Sequence, residues 1–240
     1  MAKQRGETDP SVQSPEAVVQ EVGTHPETGL SSSQASQRLQ KDGPNVLRAA
    51  VPVPGWKRFL RQFQDPLVYL LLIAILISVI AWAVEGWVGW PIDALVILLI
   101  VVGNAILGYV QENKAQNAVA ALAKMTEVTS AVLRDGVVSR VPSTSLVVGD
   151  ILMLEEGDAV GADARLLRAS ALKIQEASLT GESEAVMKDA ARLERVLPLG
   201  DRLNMIFKGT AVVQGTGKAV VTATGMDTEM GSIAQMLDQT

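Results

Sequence analysis

The sequence predicts an α+β membrane protein, with a transmembrane helical hairpin, short helices before it and a cytosolic all-β domain after it. Three observations predict this. Residues 66–84 read PLVYLLLIAILISVIAWAV without a charged residue, and residues 94–110 form a second such run. From residue 129 onward, short β-branched runs alternate with Gly and Asp turns, the pattern of a sandwich, barrel or jelly roll. Hydrophobic residues at 48% beside charged residues at 20% fit a soluble part joined to a membrane part.

Residues 1–13 are polar and are expected to be disordered. Residues 14–62 form an N-terminal segment with two helix signals. Ser14-Pro15 is a cap followed by proline at the first helical position, and Gly23 closes that helix. Ser32 or Ser33 opens a second helix, which Gly43-Pro44 stops.

Residues 63–125 form the hairpin and its stalk, with spans at about 66–84 and 92–112. The first run is about 28 Å long as a helix, enough to cross a hydrocarbon core. Trp82, Trp87 and Trp90 cluster at the link, where an interfacial aromatic belt belongs. Glu85, at the outer end of the first span, reads as a solvated interfacial acid rather than part of an ion path. Lys57, Arg58 and Arg61 precede the first span and Lys114 and Lys124 follow the second, with no Lys or Arg between Arg61 and Lys114. That asymmetry puts both chain ends in the cytosol. Gly103, Asn104 and Gly108 suit close helix contact, so further membrane helices are expected. Gln111–Met125 lacks Gly and Pro and continues the second helix as a stalk.

Residues 126–240 form the β domain. Asp135-Gly136 joins strands at Thr129–Arg134 and Val137–Val141. Further strands are expected at Ile151–Leu154, Ala164–Arg168, Leu172–Gln175, Met205–Gln214 and Lys218–Thr224, before a closing helix capped by Thr228.

Within this domain Leu179-Thr180-Gly181-Glu182-Ser183 carries the chemistry. Gly181 tolerates φ > 0, which lets the next carboxylate project from a turn. Glu182 is the candidate to orient or deprotonate a water, and the hydroxyls of Thr180 and Ser183 suit the local backbone or a phosphate oxygen. An ordinary solvated turn is the competing reading of these few residues alone. A net charge of -5 argues against a nucleic-acid partner. Zero cysteines and the single His25 leave no thiolate or histidine metal site. No Gly-rich phosphate loop occurs, so no cofactor-binding residue is assigned.

Taken in order, these pieces resemble the N-terminal part of a P-type ATPase, closest to the calcium-pump branch. Gly29-Leu30-Ser31, Arg38-Leu39 and Gly43-Pro44-Asn45 resemble the family's cation-transporter N-terminus, and Asp65-Pro66 the start of its first membrane helix. Val148-Gly149-Asp150, Gly157-Asp158, Ala162-Asp163 and the Thr-Gly-Glu-Ser motif resemble the actuator domain, as do Asn204-Met205, Phe207, Gly209-Thr210 and Thr224-Gly225. The resemblance implies a distorted jelly-roll actuator domain at 126–240. It also implies that Glu182 positions the water that hydrolyses an aspartyl phosphate, with Thr180, Gly181 and Ser183 shaping the loop. ATP and Mg2+ would be used by the full-length pump and bound by none of these residues. The partners implied are the lipid bilayer, the remaining pump domains and the transported cation. Val148 and Gly161 stand where the family has prolines, which is expected to loosen two loops; Gln175-Glu176 replaces Asp-Glu, and Ala185 replaces a proline. The alternative is a non-enzymatic, membrane-anchored β domain of a channel or regulatory subunit.

Overall fold

The computed structural model describes residues 9–47, 54–84, 86–125 and 128–238. The chain divides into two compact units, Met1–Ala49 with Glu127–Thr240 and Ala50–Thr126. The first unit begins with a 3-10 turn at Pro10–Val12, then α1 (Pro15–Val22) and α2 (Ser32–Asp42). Ser14 caps α1 through Ala17 N–H, and Gly23 at φ 64° ends it, as the sequence predicts. α2 opens at Ser32 as expected, and Ser31 caps it, with Gln34 completing a reciprocal capping box. Ser32 is used elsewhere: its backbone N–H and hydroxyl both donate to Asp135. Those bonds hold the Asp135 carboxyl below its usual range.

Residues 9–13 correct the expectation of disorder for that stretch. Asp9 caps the 3-10 turn by accepting from Ser11 N–H, and Ser11 is fully buried. The carbonyls of Pro10 and Gln13 accept from the Arg165 guanidinium, and that of Ser11 from Asn204 Nδ2. Nothing in local composition announces these tertiary partners. Residues 1–8 lie outside the described residues.

The second unit holds α3 (Gly55–Arg61), a 3-10 turn (Gln62–Gln64), α4 (Pro66–Val84) and α5 (Ile92–Met125). Asp65 Oδ1 accepts from Leu67 N–H at 2.7 Å at the start of α4. Two helices are long and apolar enough to cross a membrane, at Pro66–Val84 and Ile92–Ala118. Their apolar side chains point largely outward, with Leu70 65% and Leu99 74% exposed. Along α5, Val101 and Ala105 are buried one turn apart, whereas Gly103 and Asn104 are exposed. Trp82 and Trp87 pack edge to face at 4.5 Å in the link, and Trp82 Nε1 donates to Gly89 O. Glu85 lies outside the described residues.

The first unit resumes as one antiparallel sheet. Its strands are β1 (Thr129–Arg134), β2 (Val137–Pro142), β3 (Ile151–Leu154), β4 (Asp163–Gln175), β5 (Ala185–Met187), β6 (Met205–Ile206) and β7 (Ala211–Ala223), in the order β2-β1-β3-β7-β4-β5, with β6 also on β4. The short helix α6 (Ala177–Thr180) interrupts it between β4 and β5, and α7 (Glu229–Asp238) follows β7. Thr228 Oγ1 accepts from Gly231 N–H, the cap that the sequence predicts for the last helix.

β4 runs unbroken where two strands are expected. The register slips between Ser170 and Lys173, Ala171 takes φ 49°, and Gly215 of β7 comes so close that a Cβ there would lie 2.3 Å from Ala171 O. That bulge bends the strand pair without ending it. The predicted strand Met205–Gln214 is split the other way, because 207–210 leaves the ladder as a turn closed by Thr210 Oγ1 donating to Phe207 O.

Alternate residues of the sheet serve two cores. Val132, Ala219 and Val221 join Leu152, Leu166, Leu172 and Ile206 in the larger one. Leu133, Ile151 and Val220 face the other way and bury Val18 and Val19 of α1. Asn45 joins the N-terminal segment to the sheet: Nδ2 donates to Ser143 O and Gly161 O, and Oδ1 accepts from Gly225 N–H and Lys208 Nζ, each at 2.8 Å. The two loops lacking proline are held rather than loosened. Arg38 Nη1 donates to Val148 O at 2.6 Å, and Gly161 sits where a Cβ would meet the hydroxyls of Ser130 and Ser143 at 2.7 Å.

Candidate functional site

The Thr180–Ser183 loop leaves the sheet at the end of β4 and returns as β5, with Gln175 paired to Ala185 and Ile174 to Val186. Glu176 starts the excursion and its carbonyl gathers the outgoing arm. It accepts from Leu179 N–H at 2.9 Å, Thr180 N–H at 3.0 Å and Thr180 Oγ1 at 3.1 Å. This produces the single helical turn α6, which the sequence reading treats as plain loop. Gly181 ends it at φ 77° with its N–H on Ala177 O. No atom lies within 4 Å of a Cβ built at Gly181, so glycine is needed there for the left-handed backbone and not for space.

The four predicted residues come together at one exposed tip. Thr180 spends its hydroxyl inward, donating to Glu176 O and accepting from Glu182 N–H at 3.3 Å. The Ser183 carbonyl accepts from Gln175 Nε2 at 2.8 Å, and Ser178 Oγ donates to Gly209 O at 2.8 Å. Among the described residues no side chain reaches the Glu182 carboxylate, and Gly181, Glu182 and Ser183 are all exposed. A carboxylate so held is free to meet a water or an incoming group from outside this unit.

Sequence reasoning missed the foot of the loop. Lys188, the residue after β5, puts Nζ 2.6 Å from Glu176 Oε1, with side-chain exposures of 0% and 1%. No other donor reaches either carboxylate oxygen among the described residues. Lys188 Nζ also lies 5.8 Å from the centre of the Phe207 ring. Burial pushes the Glu176 carboxyl up and the Lys188 ammonium down, while each opposes the other's shift. The available signal was a lysine directly after the returning strand and an acid directly before the outgoing turn; the ladder sets Lys188 opposite Leu172, so the two long side chains meet by reaching along the strands.

A second charged cluster sits where β4 begins. Asp163 accepts from Lys208 N–H at 2.8 Å and Glu229 N–H at 2.7 Å, at the start of α7. Burial raises its pKa from 3.8 to about 6, against the pull of those two bonds. Arg165, fully buried beside it in sequence, donates to the carbonyls of Pro10, Gln13, Leu166, Ala190 and Asn204, and burial lowers its pKa to about 10. These groups are structural, since their hydrogen bonds end on the backbone.

Comparison with known proteins agrees with this architecture. The family described as the P-type ATPase actuator domain matches residues 124–238, and the cation transporter/ATPase N-terminus matches residues 11–78. A cation-transporting ATPase of Synechocystis sp. is 42% identical over 224 residues, covering 93% of this chain and 24% of that protein. A calcium-transporting ATPase of Listeria monocytogenes is 41% identical over 212 residues, 88% of this chain and 23% of its own length. A calcium-transporting ATPase of Bacillus subtilis is 40% identical over 222 residues, 92% and 24% respectively. The chain thus spans about a quarter of the length of these relatives. The two family matches, in chain order and with the first running into α4, show that the chain belongs to the cation-transporting P-type ATPases and carries their N-terminal segment and actuator domain.

Proposed function

We propose that the chain is the N-terminal part of an ATP-driven cation pump and that Glu182 aligns the water which hydrolyses the pump's aspartyl phosphate. The observation that carries this is the exposed Glu182 carboxylate, unpartnered among the described residues, on a tip fixed by Gly181 and Thr180, in a domain of this family. An acyl phosphate needs an aligned nucleophile more than a strong one, and a carboxylate supplies that alignment. Thr180 and Gly181 hold the tip's shape, and Ser183 continues it into β5. ATP and Mg2+ would act on parts of the pump other than these residues. Both ends of the chain lie in the cytosol in this reading, supported by the basic residues that flank the hairpin and are missing within it. The exposed Gly103 and Asn104 on α5 are the surface on which further membrane helices pack. Calcium is the proposed cargo, since two of the relatives above are named calcium-transporting ATPases.

In the full-length pump, Glu182→Gln is expected to leave phosphorylation by ATP intact and to slow phosphoenzyme decay about 10²–10⁴-fold. The measurement is acid-quenched decay of labelled phosphoenzyme. Equal decay in wild type and variant would reduce Glu182 to a turn residue.

A further inference from the structure

The loop's tip carries its exposed carboxylate, but its foot carries a buried charge pair. Glu176 is the last residue before α6 and Lys188 the first after β5, so the pair brackets residues 177–187. Burying two opposite charges gains stability only with good geometry, and an apolar pair would often hold a fold as well. Something beyond fold stability is needed to explain charges at 0% and 1% side-chain exposure.

The two halves of Glu176 do different things. Its carbonyl holds the outgoing arm by accepting from Leu179 N–H, Thr180 N–H and Thr180 Oγ1. Its carboxylate crosses to Lys188 on the returning arm, 2.6 Å away. Lys188 is anchored in turn: its N–H donates to Leu172 O at 2.9 Å, and its ammonium reaches Arg202 O at 3.4 Å. The loop's other ties, Gln175 to Ser183 and Ser178 to Gly209, are exposed, where water competes for them. We propose that the Glu176–Lys188 pair is a positioning device that ties the start of this loop to the far end of its returning strand and sets the direction in which Gly181–Glu182 projects.

The proposal rests on the reading of Glu182 given above. Neither member of the pair touches the reacting atoms, so both are positioning residues. Displacing a reacting group by about 1 Å costs on the order of 10²-fold, so a slackened foot is expected to slow water attack about 10- to 100-fold.

The test uses the full-length pump and separates two quantities, the amount of phosphoenzyme formed from ATP and the rate constant of its decay. Glu176→Gln is expected to form phosphoenzyme at the wild-type level and to lose it about 10- to 100-fold more slowly. A merely structural role does the opposite, lowering the amount of active pump while the survivors decay at the wild-type rate. Should Glu176→Gln not fold, the double variant Glu176→Gln with Lys188→Met leaves no unpaired charge and is judged by the same decay constant. Slow decay supports the proposal. Wild-type decay in either variant, with Glu182→Gln still slow, overturns the positioning role and leaves the Glu182 reading standing. Wild-type decay in Glu182→Gln itself overturns both.

Discussion

The two units of this chain solve opposite problems. In the sheet unit, apolar side chains turn inward and polar groups find named partners, as Asn45 and Arg165 illustrate. In the hairpin unit, apolar side chains such as Leu70 and Leu99 turn outward. The difference shows where each unit's stability comes from: one carries its own solvent-free interior, and the other requires an apolar environment around it.

Substitutions that touch the interior of the sheet unit give the strongest test of that contrast. Leu166→Ala empties a fully buried site and is expected to cost about 2–5 kcal/mol in denaturant unfolding of the sheet unit, followed on the intact chain in detergent. Leu70→Ala, at 65% exposure, is expected to leave the same transition unmoved. A shift common to both would break the division into two units. Asn45→Ala strands four hydrogen-bonded groups and is expected to cost about 2–4 kcal/mol in that transition. An effect below about 1 kcal/mol would mean that water replaces the amide without loss.

Asp163 gives a pH-dependent effect. Its folded pKa of about 6 lies above the ordinary 3.8, so the folded state holds a proton that the unfolded chain has lost in that window. The contribution of this group is therefore best at the acid end and falls as pH rises from 3.8 to about 6, by on the order of 3 kcal/mol. Asp163→Asn should flatten that part of the stability–pH curve, read from unfolding midpoints across the window; an unchanged slope would contradict it. The smallest effect is expected at the surface, where Glu27 is 78% exposed and lies 3.2 Å from Lys218 Nζ. Glu27→Ala should cost at most a few tenths of a kcal/mol in the same assay.

The sequence carried much of the fold because its punctuation is local. Asp135-Gly136 takes φ of 51° and 75°, and β1 and β3 span the residues expected from their β-branched runs. The hairpin was legible from charge exclusion alone. What stayed hidden depends on partners distant in sequence. Ser32, the first residue of α2, donates to Asp135, 103 residues away. Residues 9–13 are ordered by Arg165, and β4 passes its bulge because Gly215 gives it room. At the candidate site, the glycine-plus-carboxylate tip could be read from residue type. Its foot could not, since the ladder sets Lys188 opposite Leu172 and only the reach of two long side chains brings its ammonium to Glu176. Val148 and Gly161 misled for the same reason: hydrogen bonds from Arg38 and Asn45 fix loops that a local reading leaves slack.

The sheet unit is assembled from two stretches of chain with the hairpin between them, and this sets an order of events in time. Pro10 must wait for Arg165, 155 residues later, before its carbonyl finds the guanidinium. At a synthesis rate of roughly 5–20 residues per second, that wait is about 8–30 s. Throughout it α1 has no sheet to cover Val18 and Val19, and the hairpin emerges from the ribosome before the sheet does. The N-terminal segment is thus made before the hairpin and the sheet and secured only after both, so a nascent chain halted anywhere before β4 would present it to proteases without protection.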